Sequence, residues 1–221
     1  MSRAAEVYKE KKRIRELLAS RNNGGNNSTK KKNEEKLQVG SDDLPVKVNE
    51  KFNFSAPLHF AICRSKYFKI LQNVLTFEDM VEEIINNVDH GGLYQNASKT
   101  EPSKLACIIH KLFVLNITID NAKFLLNQYD SPYIRLVCAL YLRLGVEYGE
   151  LWEWLEPALA DYDLLYVNFE KKKEASLGSI VEELLTSNLY SNMHLPRIPM
   201  ELMKKFSSII SGQNGKEAYD A

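Results

Sequence analysis

The sequence is short of the residues that build covalent frameworks and most active sites. It has three cysteines, Cys63, Cys107 and Cys138, an odd number with no CxxC pair, each set among apolar residues in a helix-like segment. That usage excludes a disulfide framework and reads as reduced core thiols of an intracellular protein. The four histidines, His59, His90, His110 and His194, are scattered, with no HExxH, no HxH and no Cys or His at zinc-ligand spacing, so no metal site is expected. No run of about 18 apolar residues occurs, and no apolar stretch follows the basic residues at the N-terminus, so neither a membrane span nor a signal peptide is expected. Charge of one sign is also lacking: 29 basic and 29 acidic residues leave a formal net charge of zero. The molecule as a whole has no field to draw it onto nucleic acid or an anionic membrane, and any such binding has to be local.

Recognisable catalytic patterns are missing as well. Gly91-Gly92 has no strand before it and fits neither GxxxxGK[ST] nor GxGxxG, so it reads as a turn and not as a phosphate loop. Glu82-Glu83 and Glu182-Glu183 are carboxylate pairs, but neighbours on a helix diverge by about 100° and do not converge for acid/base work. None of the cysteines has a base in a recognisable context. Cys107 and His110 stand three apart on one helix face, where Ile108, Ile109 and Phe113 favour a plain core contact. The expectation is a protein without catalytic centre, cofactor or small-molecule substrate.

What is present is a foldable core. Over 221 residues, 44% hydrophobic and 26% charged content is ordinary for a globular chain. The first part differs: Lys9 to Arg13 is basic, and Arg21 to Glu35 is rich in Asn, Gly, Ser and Lys. Such a run buries too little apolar surface to offset the entropy of ordering it. Residues 1–50 therefore read as a flexible basic arm with a short amphipathic helix around Val7 to Leu18, residues 51–211 as the helical domain and residues 212–221 as a frayed tail.

Helical periodicity fills the domain. Ser55-Ala56-Pro57 opens a segment to Asn73 in which Leu58, Ile62, Phe68 and Leu71 share a face. Thr76 with Asp79 caps the next, and Asp89-His90-Gly91-Gly92 breaks the chain into an ordered surface loop as far as Lys99. Thr100 before Glu101-Pro102 starts a helix carrying Leu105, Ile108, Ile109, Leu112 and Phe113, and Thr118 caps another through Asn127. Asp130-Ser131-Pro132 is the sharpest start signal, and Gly145 suits the C′ position of the helix that follows. Pro157 predicts a kink or a new helix after Leu151 to Leu155. Lys171 to Lys173 is a solvated turn, Ser179 begins a helix through Leu185, Leu195 to Pro199 is extended, and a last helix runs from about Met200 to Ile210. No strand alternation stands out; pieces such as Asn116 to Ile119 would at most pair as a small ribbon. The expected fold is all-α, a single irregular multi-helix bundle behind a disordered N-terminal arm.

Helix 132–145 is unusual, because Arg135 and Arg143 are its only charges. Arg135, near the N-terminus, opposes the helix dipole and needs compensation. A structural ion pair with Asp130, Glu147 or Glu156 supplies it on one reading; presentation to a partner is the other. Trp152 and Trp154 diverge by about 200° on a helix, so they do not both face the core, and tryptophan and arginine are enriched at binding hot spots. Tyr133, Arg143, Trp152 and Trp154 form the candidate partner-binding set.

These residues belong to a longer pattern. Ser65-Lys66-Tyr67-Phe68, Asp130-Ser131-Pro132-Tyr133-Ile134-Arg135, Tyr141-Leu142-Arg143, Leu151-Trp152-Glu153-Trp154 and Leu195-Pro196-Arg197-Ile198-Pro199 follow one another between about Ser55 and Phe206. In that order they resemble the pre-mRNA-splicing factor 38 family. Asp-Ser-Pro-Tyr and Leu-Trp-Glu-Trp are similar to its B-type member, Gly91-Gly92-Leu93-Tyr94 and Leu155-Glu156-Pro157 to its A-type. The resemblance implies an all-helical, non-enzymatic nuclear component of the tri-snRNP or precatalytic spliceosome, working through contacts with other spliceosomal proteins. RNA contact by the basic arm and Lys171 to Lys173 is the secondary expectation.

Overall fold

The computed structural model describes residues 43–129 and 131–217, backbone only from 213 onward. The expected helix at Val7 to Leu18, the polar run Arg21 to Glu35 and Asp130 lie outside these residues. The described chain is predominantly helical: α1 Ala56–Arg64, α2 Lys66–Leu71, α3 Phe77–Asn87, α4 Lys104–Leu115, α5 Ile119–Leu126, α6 Pro132–Gly145, α7 Leu151–Leu155, a 3-10 turn Glu156–Ala158, α8 Leu177–Thr186 and α9 Met200–Glu217. Two small antiparallel ribbons accompany the helices. β1 Leu164–Tyr166 pairs with β2 Glu174–Ser176 in the register Leu165 opposite Ala175, and β3 Leu189–Tyr190 pairs with β4 Met193–His194.

Helix α6 is the axis of the domain. It is apolar nearly all round, as a helix must be to be covered on every side, and every residue from Ile134 to Gly145 is buried. Helices α3, α4, α5, α7 and α8 pack against it. Gly145 ends it for a reason other than the one expected. Among the described residues no glycine has positive φ; instead a Cβ on Gly145 would stand 2.8 Å from Phe113 Cε1 and 3.0 Å from Val46 Cγ1. Close approach of α4 and the entering chain fixes this glycine. The last carbonyls of α6, which have no partner within the helix, accept from that entering chain: Lys47 N–H donates to Gly145 (2.6 Å) and Asn53 Nδ2 to Leu144 (2.7 Å). Among the described residues the chain is already packed at Leu44, 2% exposed, ahead of Phe52. Polar composition, which sets the expected boundary at 50, does not express a strap held by backbone bonds.

Local signals account for most boundaries. Thr76, Ser103, Thr118 and Ser176 each accept from the amide three residues on. Ser103, not Thr100, therefore caps α4, while Pro102 bridges to Tyr94. Ser176, not Ser179, begins α8. Ser65 is extended and caps α2, splitting the segment from Ser55 to Asn73 in two. Gly91, Gly92 and Leu93 are buried and not on a surface loop; the Gly91 amide donates to Tyr166 and its carbonyl accepts from Tyr190 Oη at 2.8 Å. Asn116 to Ile119 lies outside the two ribbons but pairs minimally, with a single bridge at Thr118 and the Ile117 carbonyl accepting from Leu44 N–H at 3.2 Å; Asn116 takes a left-handed conformation at φ 51° to end α4, and Thr118 caps α5. Helix α9 runs to Glu217, past Ile210 and into residues read as a frayed tail.

Candidate protein-interaction site

The two arginines of α6 lie eight residues apart, about 12 Å along the helix at 1.5 Å per residue. Each is only 1% exposed. Arg135 Nε donates to Asp161 Oδ2 and Nη2 to Asp163 Oδ2, both at 2.6 Å, and Nη1 donates to the Gln128 carbonyl. Asp161 is 8% exposed and Asp163 53%, so the first contact is the desolvated one. Of the carboxylates named from sequence, Asp130 lies outside the described residues, Glu147 pairs with Lys47, and Glu156 opens the 3-10 turn. The partner sits 26 residues away, at a distance no helical spacing reveals.

Asp161 and Asp163 are held from the other side by α8. Gly178 N–H donates to the Asp161 carbonyl at 2.8 Å and Leu177 N–H to that of Asp163 at 3.0 Å. Arg143 serves the far end of α8. Its Nε donates to the Leu184 carbonyl (2.7 Å) and its Nη2 to the Ser187 carbonyl and Asn188 Oδ1 (both 3.3 Å). A cation on the last carbonyls of a helix satisfies orphan acceptors and opposes the negative dipole end. Burial lowers the Arg143 pKa to about 10, which leaves it charged near neutrality. Two arginines of α6 therefore clamp α8 at both ends.

This geometry divides the candidate partner-binding set. Arg143 is a core residue, not a surface one. Tyr133 Oη accepts from Tyr166 N–H at 3.1 Å and anchors β1. Trp152 stacks on Phe206 of α9 at 5.3 Å between ring centroids. Trp154, diverging from it, lines a groove of about 330 Å³ together with Tyr129, Leu126, Pro157, Ala158, Arg135 and Asp161. Tyr129 is 69% exposed, and its ring centroid lies 5.1 Å from the Arg135 guanidinium carbon, within cation–π range. Sequence reasoning did not single out Tyr129. Its signal was only an exposed aromatic just before Asp130-Ser131-Pro132. The four candidates are not one surface; Trp154 and Tyr129 are the pair that faces a common space.

Basic residues outside the arm are partly neutralised. Lys171 Nζ lies 2.5 Å from Asp89 Oδ2, and Lys172 Nζ lies 3.2 Å from Glu170. No helix of the described residues is long and apolar enough to cross a membrane.

Fold and groove together define a class, a helical module clamped on one buried helix with an aromatic groove open on its flank. A sequence model described as the PRP38 family matches residues 45–206, most of the chain, and the chain belongs to that family. It is similar to pre-mRNA splicing factor SR-like 1 of Arabidopsis thaliana, 32% identical over 157 residues, covering 71% of this chain and 40% of that protein. It is also similar to human pre-mRNA-splicing factor 38B, 27% identical over 206 residues, 80% of this chain and 38% of that protein. The chain thus spans about two fifths of the length of these curated relatives. Among solved structures it resembles a chain of the Snu23-Prp38-MFAP1(217–258) complex of Chaetomium thermophilum. That match has a TM-score of 0.65 at 21% identity and covers 77% of this chain and 88% of that one, a likeness of fold.

Proposed function

We propose that this protein is a nuclear, non-enzymatic scaffold component of the spliceosome, acting in the tri-snRNP or precatalytic complex through protein contacts. The match of residues 45–206 to the PRP38 family carries the reading, and relatives named as pre-mRNA splicing factors support it. The structural neighbour was solved in a complex with Snu23 and a segment of MFAP1; counterparts of those two proteins are the first partners to test. The groove between Tyr129 and Trp154 is the contact surface in this reading. An amphipathic segment of another protein fits it, with apolar side chains against Leu126, Trp154 and Pro157 and a polar group toward Arg135 and Asp161.

RNA binding by the basic arm is the second reading. It comes second because Lys171 and Lys172 already face carboxylates, and because few aromatics interleave the basic runs to stack on bases.

Affinity purification of the full chain from nuclear extract at moderate salt tests both readings. The wild type is expected to retain spliceosomal proteins after nuclease treatment. Tyr129→Ala with Trp154→Ala is expected to lose at least one of them by about tenfold or more, since hot-spot truncations cost about 2 kcal/mol or more, with melting temperature kept within a few degrees. Retention that depends on RNA supports the second reading instead. Unchanged recovery with the double variant removes the groove as the contact surface.

A further inference from the structure

Of the four histidines, His90 is fully engaged: its Nδ1 accepts from the Gly92 amide at 3.1 Å and its Nε2 meets Gln95 Oε1 at 3.1 Å. His110 is the contrast. It is 5% exposed, and neither of its ring nitrogens has a hydrogen-bond partner among the described residues. Buried polar atoms are seldom left so, and each such case calls for an explanation, an ion among them. Its ring is fixed on several sides by Phe52 at 4.8 Å, Phe68 at 4.7 Å and Phe54 at 6.1 Å between centroids. Its remaining neighbour is the ring of His59, 5.2 Å away.

His59 and Cys63 stand four apart on α1 and so share a face. Cys63 Sγ lies 3.8 Å from His59 Nε2 and 4.0 Å from its Nδ1. One ligand atom from each of His59, Cys63 and His110 falls within 4.8 Å of the other two. With Zn–N of about 2.0–2.1 Å and Zn–S of about 2.3 Å, the edges of a tetrahedral zinc site are about 3.3–3.6 Å. Against the 4.8 Å bound, the trio has to close by at most about 1.2–1.5 Å to reach that geometry. The two side chains that would move are His59, half-buried, and Cys63, exposed, while the one locked in the core is already in place.

We propose that His59, Cys63 and His110 form a zinc site that ties α1 to α4, with three protein ligands and a fourth position open to solvent. Two imidazoles and a thiolate suit zinc among the available divalent ions. The open position makes the ion exchangeable and not a closed structural centre. Cys63 is the thiol in question: Cys107 and Cys138 are buried, and burial raises both pKa values, Cys107 to about 12. The sequence showed none of this. A His-x3-Cys pair on one helix with a lone histidine 47 residues beyond it matches no zinc spacing, and the third ligand arrives through packing.

The test is a titration of the reduced, chelator-treated full chain with cobalt(II), which reports tetrahedral thiolate coordination by its absorption. One equivalent is expected to give a thiolate-to-cobalt charge-transfer band and intense visible d–d bands, both displaced by zinc. Cys63→Ser and His59→Ala, at positions outside the core, are expected to remove these bands while leaving the circular dichroism spectrum unchanged. Zinc is expected to raise the melting temperature of the wild type and not of Cys63→Ser. Absence of the bands at one equivalent, or the same bands in Cys63→Ser, overturns the site.

Discussion

Arg135→Ala is expected to destabilise the domain by about 3–5 kcal/mol, because it leaves the Asp161 carboxylate buried without its partner. The Asp163 contact adds little, since that carboxylate is half-exposed and solvent screens it. The loss extends beyond the pair. Asp161 also accepts the Gly178 amide, so the segment that seats the start of α8 loses its anchor on α6. In a domain of this size each kcal/mol shifts the melting temperature by about 2–4 °C, so a fall of roughly 6 °C or more is expected by calorimetry. Arg135→Lys keeps the charge but not the fork that spans Asp161, Asp163 and the Gln128 carbonyl; it should fall between alanine and wild type. An alanine variant that melts within about 2 °C of wild type yet loses its partners would make Arg135 an interface residue.

Gly178→Ala is expected to destabilise the same contact for a steric reason. A Cβ there would lie 2.2 Å from the Leu159 carbonyl oxygen and 3.0 Å from that of Asp161. Backbone atoms surround it, so no rotamer relieves the overlap, and overpacking a tight site costs about 1–3 kcal/mol, occasionally more. Leu159 to Asp161 must move, which draws Asp161 away from Arg135. The two substitutions act on one contact, so the double variant should be less destabilised than the sum of the singles. Additive losses in chemical denaturation would show that the helix start and the ion pair are independent.

Signals confined to a few residues were legible in the sequence, and long-range ones were not. Thr76 and Thr118 marked helix starts because a cap is decided within one turn, and Pro132 did so because its ring suits the first turn, although Ser131 makes no side-chain cap bond. The burial of α6 is in keeping with its largely apolar composition, in which Arg135 and Arg143 are the only charges. The 3-10 turn at Pro157 followed from a ring that cannot sit in a helix interior. Competing caps led to error where two candidates stood three residues apart, Thr100 against Ser103 and Ser179 against Ser176. The strap from Leu44 is held by backbone bonds that composition does not express. The partner set was only partly legible. Divergence of Trp152 and Trp154 follows from helix geometry, whereas the burial of Arg143 against the carbonyls at the end of α8 depends on a contact 41 residues away. A charged residue on an apolar helix signals a demand for a partner without naming it.

In the proposed function this chain supports splicing by holding proteins together through a surface of its helical domain. Depleting the protein from nuclear extract and adding back purified full-length chain tests it directly, with spliced and unspliced transcript measured in the same reaction. Depletion is expected to leave precursor RNA unspliced, wild-type protein to restore splicing, and Tyr129→Ala with Trp154→Ala to fail although it melts like the wild type. Splicing that proceeds undiminished after depletion, or that the groove variant restores in full, would contradict the account.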